Sequence, residues 1–479
     1  MHQLLKNDLA NFNHLLEKTK ESSKQYLDSI EQRPPATGYL KKENPGIPLP
    51  GIGAEKTLEL FLKRYGDAMP ASNGPRFWGL VTGGTTPAAV IGDWLTSIYD
   101  LNLSHAANSV APDIEMEALN MLGELFGLPA SFSGTFVSGA TMSNFSALAI
   151  AREWIGQQSG KSVAQEGLQA IPPVKVLSCE AHSSSFKAMA MLGLGRNSLK
   201  VIARLPENRE AMNVVELRKA LETLNGEPCI VIANAGTVNT VDFDDVQAIA
   251  ALKSEFNFWL HVDAAFGGFA ACSPKFKHLL NGIEHADSIT IDAHKWLNVP
   301  YDSAMVFTRH RDLQISVFQN SAAYLGPISE PVDFIHLTPE NSRRLRALPA
   351  WFSLMAYGKE GYQDIVERNC ETAKLLGDRI EASKEFRLLA PVRMNVVCFT
   401  LSGEVTAEKV KTFLADLRED GRVFMTPTTY LGTPGIRAAF SNWRTQEIDV
   451  EIAWQAMLDC VKEQGCPKFW TALLYRLSV

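Results

Sequence analysis

Two short apolar runs, each followed by chemically active side chains, most strongly constrain how this chain folds. The runs Trp259–Val262 and Ile289–Ile291 have the length and the branched or aromatic composition of buried strands. The residues that follow them are Asp263, Asp292, His294 and Lys295. Ligands of open α/β sheets bind beyond the carboxyl ends of the strands, so we expect these acids and this amine to face one crevice.

The rest of the chain alternates apolar runs with amphipathic stretches, which is the pattern of an α/β fold. Further strands are predicted at Lys175–Cys179, Leu199–Leu205, Cys229–Asn234 and Ser303–Thr308. Because helical stretches separate these runs, we predict a mainly parallel sheet covered by helices on both faces. A smaller second unit follows, with strands near Phe386–Leu389, Asn395–Leu401, Arg422–Met425 and Ile436–Phe440.

The N-terminal segment differs in character from the α/β pattern. Leu5, Leu9, Phe12 and Leu16 recur at helical spacing, and the prolines at positions 34 and 35 end this pattern. We therefore predict three parts. They are a helical arm at residues 1–75, a large domain at residues 76–355, and a small C-terminal α/β domain at residues 356–479.

Charge and composition argue against several classes of function. The 479 residues carry a net charge of −7 without a basic block, which argues against nucleic acid or a membrane surface as a partner. No stretch approaches the roughly 18 apolar residues of a membrane-spanning helix. The seven cysteines are scattered without C-x-x-C spacing, so we expect reduced thiols, a cytoplasmic protein and no metal site.

The residues at the predicted crevice suit one kind of cofactor chemistry. An amine such as Lys295 can condense with an aldehyde cofactor, and a carboxylate such as Asp263 can hold a pyridine nitrogen in its charged form. Those are the two requirements of pyridoxal phosphate chemistry. The plainer interpretation, a surface lysine and a helix-capping aspartate, fits poorly with a lysine that stands between His294 and Trp296 just after an apolar strand.

These residues stand in two motifs that resemble a known family. The runs H-V-D-A-A, ending at Ala265, and D-A-H-K-W, ending at Trp296, resemble the signature of the group II pyridoxal-phosphate-dependent amino acid decarboxylases. That family includes glutamate, aromatic amino acid and diaminobutyrate decarboxylases. The resemblance implies an aspartate aminotransferase-like (fold-type I) α/β fold, pyridoxal 5'-phosphate as cofactor, and decarboxylation of an L-amino acid. It also implies a homodimer with the active site at the subunit interface.

The resemblance implies a role for each residue at the crevice. Lys295 would hold the cofactor, Asp263 would hold its ring nitrogen, and Ala265 would lie against one face of the ring. His182 stands in the run A-H-S-S after the strand at Lys175–Cys179. It would stack on the other face and position the substrate carboxylate during catalysis.

The cofactor phosphate is expected at a turn of small residues before a helix. A helix start with free N–H groups and a positive dipole end attracts anions. In the resembled family, the residues that correspond to Gly139, Ala140 and Thr141 bind the phosphate. The other implied cofactor contacts are Thr237, Asp292 and His294, and His294 would support the phosphate or Lys295.

Tyr324, in the run S-A-A-Y-L, resembles the tyrosine of the mobile catalytic loop in the decarboxylases. A phenolic O–H on a closing loop can deliver a proton to the substrate carbon once water is excluded. Relatives that carry Phe there form aldehydes oxidatively, so Tyr324 favours simple decarboxylation. With Lys295 and His182 it completes the implied catalytic set.

Further candidates come from loops, and for Leu101, Leu103 and His105 ordinary packing is an equally good interpretation. Residues 80–83 correspond to a substrate-pocket loop, and Leu101, Leu103 and His105 to a loop that reaches the neighbouring subunit's pocket. Ser342 and Arg343 correspond to a segment near the neighbour's phosphate, while Arg344 or Arg346 could pair with carboxylates at the dimer interface. Asn144 is expected to cap or to pack.

Other functions remain open at this point. The nearest alternatives are another pyridoxal phosphate carbon–carbon lyase, such as a sphingosine-phosphate-lyase-like enzyme, and a catalytically inactive homologue. The substrate is also open. The loop at residues 80–85 is less aromatic than in aromatic decarboxylases, which favours an acidic or small polar amino acid without excluding an aromatic one.

Overall fold

The computed structural model describes residues 1–38, 46–103, 109–320, 328 and 332–462. The helices are α1 Gln3–Ala10, α2 Phe12–Asp28, α3 Ala54–Tyr65, α4 Pro87–Tyr99, α5 Ala111–Leu125, α6 Ala140–Gln158, α7 Val163–Glu166, α8 Ser183–Met191, α9 Val214–Glu222, α10 Val246–Ala251, α11 Ala293–Trp296, α12 Arg311–Phe318, α13 Ala347–Ala382, α14 Ala407–Asp420 and α15 Glu447–Lys462. The strands are β1 Ser133–Val137, β2 Lys175–Ser178, β3 Leu199–Val201, β4 Cys229–Asn234, β5 Phe258–Asp263, β6 Ser288–Ile291, β7 Ala304–Thr308, β8 Phe386–Leu388, β9 Val396–Leu401, β10 Thr426–Tyr430 and β11 Thr433–Ala439.

The larger sheet has the strand order β1-β7-β6-β5-β4-β2-β3 in the described part of the chain. The pairs β6–β5, β5–β4, β4–β2 and β2–β3 are parallel, and β7 runs antiparallel to both of its neighbours. Every residue of β4, β5 and β6 is buried, as expected of strands covered by helices on both faces. The predicted α/β fold with a mainly parallel sheet is therefore confirmed.

The smaller sheet is antiparallel and has the order β10-β11-β9-β8. Helices α14 and α15 pack beside it, and its core centres on a cluster that includes Phe386, Phe399 and Phe413. Thr406 caps α14 by accepting from Lys409 N, and Gly421 ends it in the left-handed conformation. This C-terminal unit matches the predicted smaller α/β domain.

The strand predicted at Leu199–Leu205 is longer than the observed strand, because the chain turns back on itself within this segment. Strand β3 ends at Val201, after which the chain folds back so that Leu205 N donates to Ala211 O at 2.8 Å. Its backbone groups are thereby satisfied within one loop instead of by a neighbouring strand.

The strand predicted at Arg422–Met425 begins later, because Phe424 pairs outside the small sheet. Phe424 O accepts from Trp78 N at 2.9 Å, and a parallel bridge joins Phe424 to Phe77. Strand β10 therefore starts at Thr426. The first residues of the predicted large domain thus lie against the C-terminal unit.

The predicted division at residues 355/356 falls inside helix α13. Gly358 interrupts this helix with φ +55° and ψ −165°, so two helical segments meet there. The first segment packs on α4 and α5, and the second contributes to the core of the small sheet. The boundaries of the three parts stay a prediction.

Within the described ranges, no helix combines the length and the apolar character that crossing a membrane requires.

Candidate active site

The predicted site residues follow the carboxyl ends of neighbouring strands in the larger sheet. Asp263 is the last residue of β5, and Asp292 follows β6. His182 follows β2, and Gly139 follows β1 and precedes α6. Strand ends that are far apart in the chain thus meet at one edge of the sheet, as expected of a ligand site in such a fold.

Asp263 is a buried carboxylate held by two N–H donors. Its Oδ2 accepts from Asn144 Nδ2 at 3.0 Å, and its Oδ1 accepts from Ala265 N at 3.2 Å. The residue is 6% exposed, and no lysine or arginine of the described chain forms an ion pair with it. A buried charge without a cationic partner is costly, so this carboxylate suits a ligand that brings its own positive charge.

Lys295 lies beside a pair of polar side chains from the same turn. Its Nζ is 3.6 Å from Asp292 Oδ2, and His294 Nε2 is 3.1 Å from Asp292 Oδ1. His294 Nδ1 accepts from Ser303 N at 3.2 Å, so any proton on a neutral His294 ring is on Nε2. The Lys295 side chain is 16% exposed and its Nζ lies 5.5 Å from the centre of the Phe266 ring.

The predicted phosphate turn lies close to His294. A Cβ added at Gly139 would stand 3.4 Å from His294 Cε1, so the two residues share one small space. No side chain caps α6 in the described structure, which leaves the N–H groups at Ala140 and Thr141 available to an anion. The buried Ser303 hydroxyl has no hydrogen-bond partner among the described residues and belongs to the same corner.

His182 stands at the start of α8 as a neutral ring. Its Nδ1 accepts from Ser184 N at 3.3 Å and contacts Ser184 Oγ at 2.7 Å. Burial lowers the pKa of the His182 imidazole below its usual range, an effect that the nearby charge of Asp263 opposes and that of Lys295 reinforces. A neutral ring whose Nδ1 is an acceptor carries its proton on Nε2.

Thr237 follows β4 and is buried, but its hydroxyl proton already forms a hydrogen bond within the protein. Thr237 Oγ1 donates to Glu210 Oε2 at 2.6 Å and accepts from Asp242 N at 3.0 Å. A contact from Thr237 to a cofactor would therefore use another group of the residue.

The substrate-pocket loop predicted at residues 80–83 packs directly on the lysine turn. A Cβ at Gly83 would stand 1.5 Å from Lys295 O, so only glycine fits there. Thr82 Oγ1 contacts Tyr301 Oη at 3.1 Å, and the Tyr301 ring lies against His294 with centroids 4.3 Å apart. The sequence offered no signal for Tyr301.

Arg437 is a cation that the sequence did not single out. It lies on β11, its Nη1 donates to Val238 O at 3.2 Å, and its Nε has no partner among the described residues. Burial lowers the pKa of the guanidinium, and its charge in turn lowers the pKa of His182. An incompletely bonded guanidinium near His182 is suited to a carboxylate ligand.

Other sequence candidates fall elsewhere. Tyr324 and His105 lie outside the described residues. The guanidinium of Arg343 is 1% exposed and contacts Glu115 at 2.6 and 2.7 Å. Arg344 and Arg346 pair within the chain, with Asp93 and Asp302 respectively. Leu103 is fully buried.

The residues present fit pyridoxal phosphate. Asp263 provides an unpaired buried carboxylate for a pyridinium, Lys295 an amine for the aldehyde, and the Gly139 turn a cradle for the phosphate that a larger side chain would fill. Ala265, which is partly exposed beside Asp263, carries only a methyl group, as the small residue expected against a flat ring would.

Comparisons with known proteins agree with this chemistry. The family model of the pyridoxal-dependent decarboxylase conserved domain matches residues 67–402. Curated relatives include the aromatic-L-amino-acid decarboxylase of Catharanthus roseus, 26% identical over 90% of this chain and 89% of the relative. The aromatic-L-amino-acid decarboxylase of Mus musculus is 27% identical over 91% of this chain and 94% of its own length.

Solved structures share the fold. The Oryza sativa TDC structure with PLP and tryptamine superposes with a TM-score of 0.87 at 23% identity, over 95% of this chain and 98% of that one. Mouse CSAD superposes with a TM-score of 0.83 at 22% identity, over 95% and 99%. The family match includes every strand of the larger sheet and Lys295, whereas Arg437 lies beyond it.

Proposed function

Because the chain belongs to the pyridoxal-dependent decarboxylase family, we propose that it releases carbon dioxide from an L-amino acid at this crevice, with Lys295 holding the cofactor. Bound there, pyridoxal phosphate supplies an electron-withdrawing ring that stabilises the charge left on Cα. The observation that carries the proposal is the buried Asp263 carboxylate, unpaired by any described cation and placed at the strand end beside that of Lys295.

Asp263 and His182 prepare the site electrostatically. The Asp263 charge keeps a ring nitrogen protonated, since a buried carboxylate strongly favours a partner that carries a positive charge. Neutral His182 carries its proton on Nε2, and this N–H would hold the substrate carboxylate. Holding the Cα–carboxylate bond perpendicular to the ring selects its cleavage over other reactions at Cα.

Arg437 anchors a carboxylate of the substrate. Its Nε lacks a partner among the described residues and its burial makes an isolated charge unfavourable, so an anionic ligand would satisfy both conditions. If Arg437 binds the α-carboxylate, it is necessary for every substrate. If it binds a side-chain carboxylate, it is necessary for acidic substrates alone.

Tyr324 delivers the proton that Cα requires after carbon dioxide leaves. The support for this role is the resemblance of its S-A-A-Y-L segment to the catalytic loop of the decarboxylases. Tyr324→Phe should keep the visible absorbance of the bound cofactor and lose amine formation. Unchanged amine output in that variant would contradict the role.

The direct test of function is turnover. Purified protein with pyridoxal phosphate would be mixed with each standard amino acid, diaminobutyrate and cysteine sulfinate, while carbon dioxide and the amine are measured. Release from one substrate class would support the proposal and identify the class. Release from none, with the cofactor bound, would contradict it.

Lys295→Ala supplies the control for cofactor attachment. Borohydride reduction should add the cofactor mass to the wild-type chain but not to this variant. Lys277→Ala removes an exposed lysine outside the site and should behave as wild type. Full turnover by Lys295→Ala would show that the assignment of Lys295 is wrong.

A second copy of the chain is the proposed partner. The arm exposes Leu5, Leu9, Phe12 and Leu16, and α3 and α4 expose Phe61, Leu62, Trp94 and Ile98. An apolar surface of this extent is typical of an interface, and a two-fold dimer would cover it.

We place the protein in the cytoplasm. Cys179, Cys229, Cys272, Cys370 and Cys398 are buried free thiols, and burial raises the pKa of the thiols of Cys179, Cys229, Cys272 and Cys398 to about 12. Unreactive, unpaired thiols are suited to a reducing compartment.

A further inference from the structure

The side-chain amide of Asn144 uses all of its hydrogen-bonding positions inside the core. Its Oδ1 accepts from His261 Nε2 and from Thr290 Oγ1, both at 2.8 Å. Its Nδ2 donates to Asp263 Oδ2 and to Ser184 Oγ, both at 3.0 Å. An ionised carboxylate only accepts, so the group that faces Asp263 must be the NH₂.

On the acceptor side of this amide, His261 is itself bonded to Ser288. His261 Nδ1 lies 2.9 Å from Ser288 Oγ, which accepts from Trp259 Nε1 at 2.9 Å. With its NH₂ on Asp263, Asn144 presents Oδ1 to His261 Nε2, so Nε2 carries the proton of a neutral His261 ring. Its Nδ1 is then an acceptor for the Ser288 hydroxyl. The bonds of Ser288 and His261 thus agree with the amide orientation that Asp263 sets.

The donor side branches toward two residues of the proposed site. One branch ends on Asp263. The other reaches Ser184 Oγ, which lies 2.7 Å from His182 Nδ1. Because Ser184 accepts from Asn144, its own proton is free to go to His182 Nδ1, which keeps the His182 proton on Nε2.

We infer that Asn144 is a positioning residue that holds Asp263 and His182 in their working orientations against the cofactor ring. The inference rests on the proposed roles of Asp263 and His182. Asn144 itself is 0% exposed, so it acts through these two side chains and not by touching a ligand.

Replacing the amide tests the Asp263 branch. Asn144→Asp keeps the shape and the acceptor side but turns an acceptor toward Asp263, so it should weaken pyridoxal phosphate binding to the apoprotein about tenfold or more. Asn144→Ala removes the donor altogether and should weaken binding in the same direction. The readout is the Kd of pyridoxal phosphate, measured by absorbance titration, with thermal unfolding of each apoprotein as the check on folding.

The matched control is Ser146→Ala, on the same helix. Ser146 is also 0% exposed, and its hydroxyl has no hydrogen-bond partner among the described residues. Its loss should leave the Kd within about twofold of wild type.

A double-mutant cycle separates positioning from general damage to the core. In an Asp263→Ala background, Asn144→Asp should change the Kd by less than about threefold, because only the His182 branch of its bonds remains. An equal loss of affinity with and without Asp263 would overturn the inference, as would wild-type affinity in both Asn144 variants.

The His182 branch has its own readout. Ser184→Ala keeps the bond between Asn144 and Asp263 but removes the hydroxyl donor to His182 Nδ1, leaving only the weaker donor, Ser184 N at 3.3 Å. It should leave the Kd of the cofactor within about threefold and shift the pH profile of kcat/KM relative to wild type. A wild-type profile would overturn this branch. Wild-type protein that binds no pyridoxal phosphate would instead contradict the proposed function, which keeps the two failures distinct.

Discussion

At the scale of single residues, Arg437 offers the sharpest prediction about substrate binding. Arg437→Gln should raise KM about thirtyfold while leaving the affinity for pyridoxal phosphate unchanged, because a charge-assisted bond to a carboxylate is lost. Arg387→Gln, at an exposed arginine of the same small sheet, is the control. Steady-state kinetics on the substrate identified by turnover would measure both, and an unchanged KM would exclude Arg437 as the anchor.

His261 makes stability depend on pH in a defined direction. Burial lowers the pKa of its imidazole well below the usual range, although the Asp263 charge opposes the shift. Below about pH 6.5 the unfolded chain therefore binds a proton that the native protein excludes, and the free energy of unfolding falls as the pH falls.

His261→Gln should remove this part of the acid sensitivity. Urea unfolding at pH 7.5 and pH 5.5 would measure the loss of stability in each protein. The wild type should lose more free energy of unfolding between these two pH values than the variant does. His278→Gln, at an exposed histidine, should keep the wild-type dependence, and an equal pH dependence in all three proteins would contradict the prediction.

At the scale of elements, the loop before α4 and the turn that carries Lys295 form one packed unit. Gly83 N donates to His294 O at 3.4 Å, and Thr86 N donates to Asn298 O at 2.9 Å. The loop therefore holds the backbone on which Lys295 stands, and its shape depends on a glycine that touches that backbone.

Gly83→Ala should destabilise the protein by about 1–3 kcal/mol and loosen the cofactor, because its Cβ would overlap Lys295 O. Gly123→Ala is the matched control, since a Cβ at Gly123 in α5 meets nothing within 4 Å. That control should gain roughly 0.5–1 kcal/mol from the helix interior. Chemical unfolding and release of the cofactor would measure both, and equal effects of the two changes would contradict the packing argument.

At the scale of the whole molecule, the arm and α4 present the apolar surface assigned to a second copy. Leu9→Glu together with Phe12→Glu should convert a dimer to a monomer, because charges would be buried in the interface. Asn13→Glu adds a charge at an exposed polar position of the same arm and should leave the dimer intact. Light scattering during gel filtration would measure the mass, and a wild-type protein with the mass of one chain would contradict the proposal.

The sequence by itself predicted the sheet and which reactive side chains follow its strands. One apolar run of strand length ends at Asp263, and another lies shortly before Lys295. Such runs predict both the parallel sheet and the edge where a ligand binds, because a strand and the residues that follow it can be recognised from a short segment of sequence. The α/β fold, the family and its cofactor could therefore be predicted from the sequence, and the comparisons confirm them. The roles assigned to single residues stay predictions.

Only the tertiary structure decided which distant residues serve the site. Asn144 and Asp263 are 119 positions apart in sequence. From the sequence we expected Asn144 only to cap or to pack, because no local pattern indicates a contact between residues so far apart. Arg437 comes from the other sheet and carries no motif. Local patterns determine strands and their ends, whereas hydrogen bonds between segments far apart in sequence exist only after packing has brought those segments together.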